Sequence, residues 1–158
     1  RVFNCTLDKT KYKKEFFDVI TMTDLIEHIS DPYKFLRKIS SLLKPSGLIF
    51  ITTPNSNSVI RNILVKNWFQ YKYEHVIYFN KTSLNLLLSK TGFKMLKCKN
   101  NIKRFSFEYY YIYLRKYSIM GLEKIFTFFY PILPRFARQS YFTNPFTSEI
   151  LVIGRKNE

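Results

Sequence analysis

The chain has 158 residues, enough for one domain with a real buried core. Its 26 Lys and Arg against 11 Asp and Glu leave a net charge of +15, which favours anionic partners. Cys5 and Cys98 are too few and too far apart for a disulfide or metal framework, so a reducing cytoplasm is the default location. The start is not a signal peptide, and no run of 18 apolar residues marks a membrane-spanning helix.

In chain order, Phe17 to Met22 is a short apolar run with β-branched Val19, Ile20 and Thr21. Leu48 to Thr53 is another, with two Ile and two Thr. Short runs that are apolar on both faces suit strands of a parallel sheet covered by helices on both sides. Between them Asp31-Pro32 is a helix start, Asp as the cap and Pro at the first helical position. Phe35, Leu36, Ile39, Leu42 and Leu43 then recur at helical spacing, with Lys34, Arg37 and Lys38 mostly on the other face. Lys44-Pro45-Ser46-Gly47 ends that helix and turns the chain.

A strand–helix–strand unit of this kind is a right-handed crossover. Ligands in such sheets sit beyond the carboxyl ends of the strands, here Met22–His28 and Thr53–Ser58. Downstream, Thr82 or Ser83 is the expected cap of a helix through Leu84, Leu87 and Leu88, and Gly92 its stop, with Phe93 folding back. Phe93–Lys99 and Ile150–Ile153 read as two further strands. No internal repeat is present.

The charge is unevenly placed. Residues 16–55 hold four basic and four acidic side chains, whereas residues 90–138 hold eleven basic and two acidic. The aromatics follow the charge: residues 105–146 carry fifteen of the 29 Phe, Trp and Tyr. Three readings of this basic aromatic stretch stand open. It is a helical cap whose aromatics pack on the sheet, or a surface that docks on anionic headgroups, or a nucleic-acid surface where bases stack on Tyr and Phe. The last ranks lowest, because no nucleic-acid module is legible.

The ordered series Phe17-Asp18-Val19-Ile20, Glu27-His28, Asp31-Pro32, Phe35-Leu36, Leu42-Leu43-Lys44-Pro45-Ser46-Gly47 and Thr53-Pro54-Asn55 resembles the C-terminal part of class I S-adenosylmethionine-dependent methyltransferases. The resemblance is to the broad group of ubiquinone-type O-methyltransferases and sugar methyltransferases. Trp68, Glu74-His75, Tyr78-Phe79, Ser83-Leu84 and Gly92-Phe93 extend it, as does Thr6-Leu7-Asp8 upstream, with Cys5 where the family usually has Gly. Ser46 also stands where the family has Gly. The resemblance covers most of residues 5–99 and a last strand near Glu149–Lys156.

It implies an α/β, Rossmann-like methyltransferase sheet, present as its C-terminal half only. It further implies that the last strand runs antiparallel and that an aromatic-rich helical insertion, residues 100–146, precedes it. Residues 1–158 then form a single partial methyltransferase domain. The glycine-rich cofactor loop of such enzymes has no counterpart here: Gly47, Gly92, Gly121 and Gly154 form no G-x-G pattern. The expectation is therefore a fragment that is inactive alone, with Phe17–Met22 left as an unpaired apolar sheet edge.

The resemblance implies S-adenosylmethionine as cofactor and a small-molecule acceptor, a hydroxyl on a sugar, lipid or quinone-like molecule. Thr6 and Leu7 would lie along the adenine; Met22, Thr23 and His28 would face the methionine end. Methyl transfer needs alignment more than a catalytic side chain, but a hydroxyl nucleophile profits from a general base of near-neutral pKa. His28 and His75 are the candidates, each open to the plainer reading of a histidine that braces a loop. By resemblance, Asp24, Glu27 and His28 also form the run that can hold a divalent metal, but three ligands on one loop are a weak signal and no metal is assigned. Trp68 reads as a packing anchor, and Asn55 as a turn residue or a substrate contact. The alternative function is a non-catalytic module that uses residues 100–138 to bind a membrane surface or a partner.

Overall fold

A computed structural model describes residues 2–101, 103–117, 122–144 and 148–158. Its main sheet has four strands: β1 (Phe17–Thr23), β2 (Leu43–Pro54), β3 (Phe93–Asn100) and β6 (Glu149–Lys156), in the order β1-β2-β6-β3. β1 and β2 are parallel, and β6 lies antiparallel between β2 and β3. The antiparallel last strand is as the sequence implied.

α1 (Pro32–Leu42) joins β1 to β2. The Asp31 carboxylate accepts from the Lys34 amide at 2.9 Å and Pro32 fills the first turn, so the helix starts where the sequence put it. Leu36, Ile39 and Leu42 face inward. α3 (Lys81–Lys90) starts differently from expectation. Asn80 is its cap, and Ser83 closes a reciprocal capping box with it, so Thr82 and Ser83 lie inside the helix. The rule is that the cap accepts from the third helical residue, which here is Ser83 itself. Gly92 follows with φ of +90°, a conformation open to glycine, and returns the chain into β3.

The expected turn at Lys44–Gly47 is folded into the β1–β2 ladder. Phe17 pairs with Leu43 and Val19 with Leu48, so residues 44–47 bulge out opposite Asp18. Ser46, where the family has Gly, takes φ of +59°, and an added Cβ on Gly47 would meet the Lys44 carbonyl oxygen at 2.9 Å. Lys44 Nζ bonds Asp18 across the bulge at 2.7 Å.

The core joins α1, α3 and one face of the sheet: Leu36, Ile39, Leu84 and Leu88 meet Ile49, Ile51, Phe93 and Val152. Expectation placed helices on both faces. Instead Ile49, Ile51 and Thr53 of β2 are buried while Leu48, Phe50 and Thr52 between them are only half-buried. Among the described residues β1 pairs with β2 alone and lies at the end of the sheet, where an unpaired edge was expected. Beside it Tyr12 packs its ring on Phe3, Phe16 and Phe17, with centroids 4.8–6.0 Å apart.

Between β3 and β6 the chain makes a second, smaller unit. β4 (Lys103–Ser106) and β5 (Tyr141–Asn144) pair antiparallel and bracket α4 (Phe107–Tyr117), α5 (Leu122–Phe129), a 3₁₀ turn at Tyr130–Ile132 and α6 (Arg135–Gln139). The unit falls within residues 100–146, of which 102, 118–121 and 145–146, with Gly121 and Phe146, lie outside the described residues. Of the three readings open for this stretch, a cap whose aromatics pack on the sheet is not supported by Phe128, Phe129, Phe136 and Tyr141, which are exposed. Within the unit α4 packs chiefly on α5 and α6. The remaining helix, α2 (Val59–Leu64), follows β2 and is capped by Ser58.

Candidate active site

The carboxyl ends of β1 and β2 open onto one rim, as the parallel pairing requires. After β1 the chain turns at Asp24, whose φ is +48° and whose amide is held by the Thr52 carbonyl at 3.1 Å. A 3₁₀ turn, Ile26–His28, follows. After β2, Asn55 forms a bridge with Phe79 and its side chain accepts from the Asn57 amide at 3.0 Å. That is turn formation, the plainer of its two readings.

Glu27 anchors the rim. It is 1% exposed, and Thr53 Oγ1 donates to its Oε2 at 2.9 Å. Its Oε1 has no partner among the described residues. Its own carbonyl accepts from the amides of Val76 and Ile77, which fastens the 70–79 loop to the sheet. Burial pushes the Glu27 carboxyl above its usual value; the Thr53 bond opposes this, nearby Asp24 adds to it, and His28 opposes it.

The two histidines meet here. Their rings are 4.8 Å apart, nearly perpendicular. His28 Nδ1 lies 2.8 Å from the Glu74 carbonyl oxygen, and His75 Nδ1 lies 2.8 Å from the Gln70 carbonyl oxygen. A carbonyl only accepts, so both Nδ1 atoms carry the proton and donate. In each neutral ring Nε2 is therefore left as an acceptor. His28 is exposed, whereas His75 is 9% exposed and burial lowers its pKa below the ordinary histidine value.

An aromatic brace holds the loop. Trp68 is buried and donates from Nε1 to Ser148 Oγ at 2.8 Å, confirming it as an anchor. Its ring packs on Tyr71 and Tyr78, and the Tyr78 hydroxyl donates to the Gln70 carbonyl oxygen at 3.1 Å. Tyr78 and His75 thus share one acceptor. Gln70 Nε2 reaches Glu149 Oε1 at 3.4 Å, tying the loop to β6. Gln70, Thr53, Ser148 and Glu149 went unnoticed in the sequence, because their roles rest on backbone carbonyls and on partners up to 80 residues away.

The donor atoms of Glu27, His28 and His75 lie within 4.8 Å of one another and could hold a cation. The implied run Asp24–Glu27–His28 is not the group that assembles. His75 takes the place of Asp24, whose carboxylate instead meets Thr52 Oγ1 at 3.4 Å.

The positions implied for S-adenosylmethionine divide. Leu7 is half-buried against the core and can offer an apolar wall, and Thr6 is exposed beside it at the start of a 3₁₀ turn. Thr23 is exposed at the strand end. Met22 is buried among core side chains, so it can offer backbone alone. The residues present thus fit one side of such a cofactor, and the 158 residues contain no G-x-G pattern that would let backbone approach its other side.

A family described as "Methyltransferase domain" matches residues 2–97. The chain belongs to the class I S-adenosylmethionine-dependent methyltransferases. The ubiquinone biosynthesis O-methyltransferase of Parvibaculum lavamentivorans is 51% identical over 41 residues, which is 26% of this methyltransferase chain and 16% of that enzyme. A Bacillus halodurans structure described as a methyltransferase has the same fold, with a TM-score of 0.59 at 18% identity, covering 98% of this chain and 70% of that one. The 1,6-didemethyltoxoflavin-N1-methyltransferase of Burkholderia thailandensis, solved with bound S-adenosylhomocysteine, has a TM-score of 0.53 at 13% identity and covers 99% of this chain and 50% of its own. The matched segment is thus about a sixth of the length of the curated relative.

Proposed function

We propose that this methyltransferase domain serves transfer of a methyl group from S-adenosylmethionine to a hydroxyl of a small acceptor, of the sugar, lipid or quinone-like class. The observation that carries the proposal is the pair of rim imidazoles whose Nδ1 protons are committed to carbonyls. The cofactor supplies the electrophilic methyl when bound. The chain's own part is to present an acceptor for the hydroxyl proton and to hold it in place. His28, exposed on the rim, takes that proton on Nε2 as the oxygen attacks. Buried His75 packs edge-on against it and limits its rotation. Glu27 and the Trp68–Tyr71–Tyr78 brace keep the 70–79 loop, and so both carbonyl acceptors, in register with the strand ends.

The test is a nuclear magnetic resonance titration with S-adenosylhomocysteine. Without a glycine-rich loop binding is expected to be weak, so saturation needs a millimolar ligand. The proposal expects shifts at Thr6, Leu7, Met22, Thr23 and His28. Shifts centred instead on the groove lined by Lys81, Asn85, Met95 and Cys98, or none at all, would remove it.

A second reading is favoured by one observation: Glu27, whose buried Oε1 has no partner among the described residues, has a carboxylate oxygen within 4.8 Å of a ring nitrogen of both His28 and His75. Glu27, His28 and His75 would be the residues to hold a divalent cation, which would supply a Lewis acid for the acceptor oxygen. Paramagnetic broadening of both imidazoles by sub-stoichiometric Mn²⁺ would select this reading over the general base. Broadening spread over the surface carboxylates instead would retain the base.

A further inference from the structure

The insertion presents an apolar stripe the wrong way round. Ile125, Phe128, Phe129 and Ile132 recur at i, i+3, i+4 and i+7 along α5 and the 3₁₀ turn after it, the spacing of one helix face. That face should be buried. Here the four are 55%, 70%, 57% and 69% exposed, and Phe136 of α6, four residues further on, is 79% exposed. Scattered apolar residues on a surface need no explanation, but a run at helical spacing does.

The stripe is held in shape from behind. Tyr111 of α4 stacks on Tyr130 at 3.9 Å with their planes 7° apart. Arg115 lies over Tyr111 and Arg138 over Tyr130, so two guanidinium groups flank one pair of rings. Arg138 also donates from Nε to the Leu133 carbonyl and from a terminal nitrogen to the Pro131 carbonyl, each at 2.7 Å. These bonds fix the turn that carries Ile132 and the start of the helix that carries Phe136.

We propose that this stripe docks on an anionic lipid bilayer surface, its Phe and Ile side chains entering the headgroup–acyl boundary. The charge selects that occupant. Residues 90–138 carry eleven basic and two acidic side chains, and Lys124 and Arg135, next in sequence to Ile125 and Phe136, are exposed. Apolar side chains ringed by cations match anionic headgroups over acyl chains. A second copy of this chain would bring the same positive field face to face. Single-stranded nucleic acid would use the rings but has no use for Ile125 and Ile132, which cannot stack on a base. No helix among the described residues is long and apolar enough to cross a membrane, so the contact is with one face of the bilayer.

The experiment is co-sedimentation of the full chain with vesicles of phosphatidylcholine containing roughly 30% phosphatidylglycerol, against phosphatidylcholine alone. Two surface variants accompany it, F128S/F136S and K124E/R135E; all four positions are exposed, so folding is expected to survive. The chain should pellet with anionic vesicles and lose at least about tenfold in partitioning on neutral ones. Each variant should lose at least roughly tenfold on the anionic vesicles. Pelleting unchanged in F128S/F136S would overturn the proposal, as would absence of pelleting on either vesicle. A vesicle-free dimer that F128S/F136S dissociates would assign the stripe to a second copy and likewise overturn it. So would an oligonucleotide that binds the parent and not F128S/F136S while vesicles do not compete.

Discussion

Two helices of this chain carry apolar residues at helical spacing and meet opposite fates. In α1, Leu36 and Ile39 are buried against β2, and the charged residues Lys34 and Arg37 are exposed. In α5, Ile125, Phe128 and Phe129 are the exposed residues. The difference lies in what the chain offers each helix. α1 spans two parallel strands whose spacing forces it onto the sheet. α5 belongs to an excursion closed by its own β4–β5 ladder, so nothing in the connectivity presses it onto the sheet. Periodicity states that a face is apolar; topology decides whether that face is covered.

The largest expected effect separates the two regions directly. Leu36→Ala should cost about 2–5 kcal/mol in chemical denaturation, because a fully buried side chain leaves a cavity. Phe128→Ala should stay within about 0.5 kcal/mol. Equal losses would mean that α5 is a core helix and would break the comparison. Trp68→Phe comes next. It removes the donor to buried Ser148, and an unpaired buried hydroxyl costs about 1–3 kcal/mol. Loosening of the 70–79 loop should show in the same variant as faster amide exchange at Val76 and Ile77, whose partner is the Glu27 carbonyl. Asn80→Ala, which removes the α3 cap, should cost about 1 kcal/mol by the same denaturation measurement.

The smallest effect at neutral pH is also the most specific. Glu27 is held above its usual carboxyl value of 4.5 by burial. A raised folded pKa means that its stabilising contribution is complete below 4.5 and is lost as pH rises through the folded value. Glu27→Gln keeps an acceptor for Thr53 and removes the ionisation. Relative to the parent, its stability should therefore improve as pH climbs from 4.5 toward neutrality. A parent and variant whose stability curves run parallel over that range would show that Glu27 is not a buried acid.

The central unit was legible because its signals are local. Asp31-Pro32 caps its own helix, Gly92 has the positive φ that a helix stop needs, and the strands are apolar runs of the right length. The rim could be placed too, since parallel strands put both loops at one end. What escaped is everything that depends on a distant partner. No spacing in the sequence says that Thr53 donates to Glu27, that Gln70 orients His75, or that Ser148 receives Trp68. The substitution of His75 for Asp24 in the donor cluster has the same origin: Asp24 is near Glu27 in sequence, but His75 is brought in by the loop's backbone bonds to residue 27. The exposed stripe was left among three readings for the opposite reason, since the sequence shows its apolarity and not its cover.

The tautomers of the two rim histidines decide whether either ring can accept a proton at the strand ends. Long-range proton–nitrogen correlation spectra recorded across a pH series read them directly. The account predicts that both neutral rings carry the proton on Nδ1, and that His75 gains its second proton only below the ordinary value of 6.5 because burial disfavours the charge. Stability associated with His75 would then be intact above 6.5 and lost as pH falls through its lowered value. Rings protonated on Nε2, or a His75 that titrates at or above 6.5, would contradict it: neither imidazole would then be held as a proton acceptor at the ends of the strands.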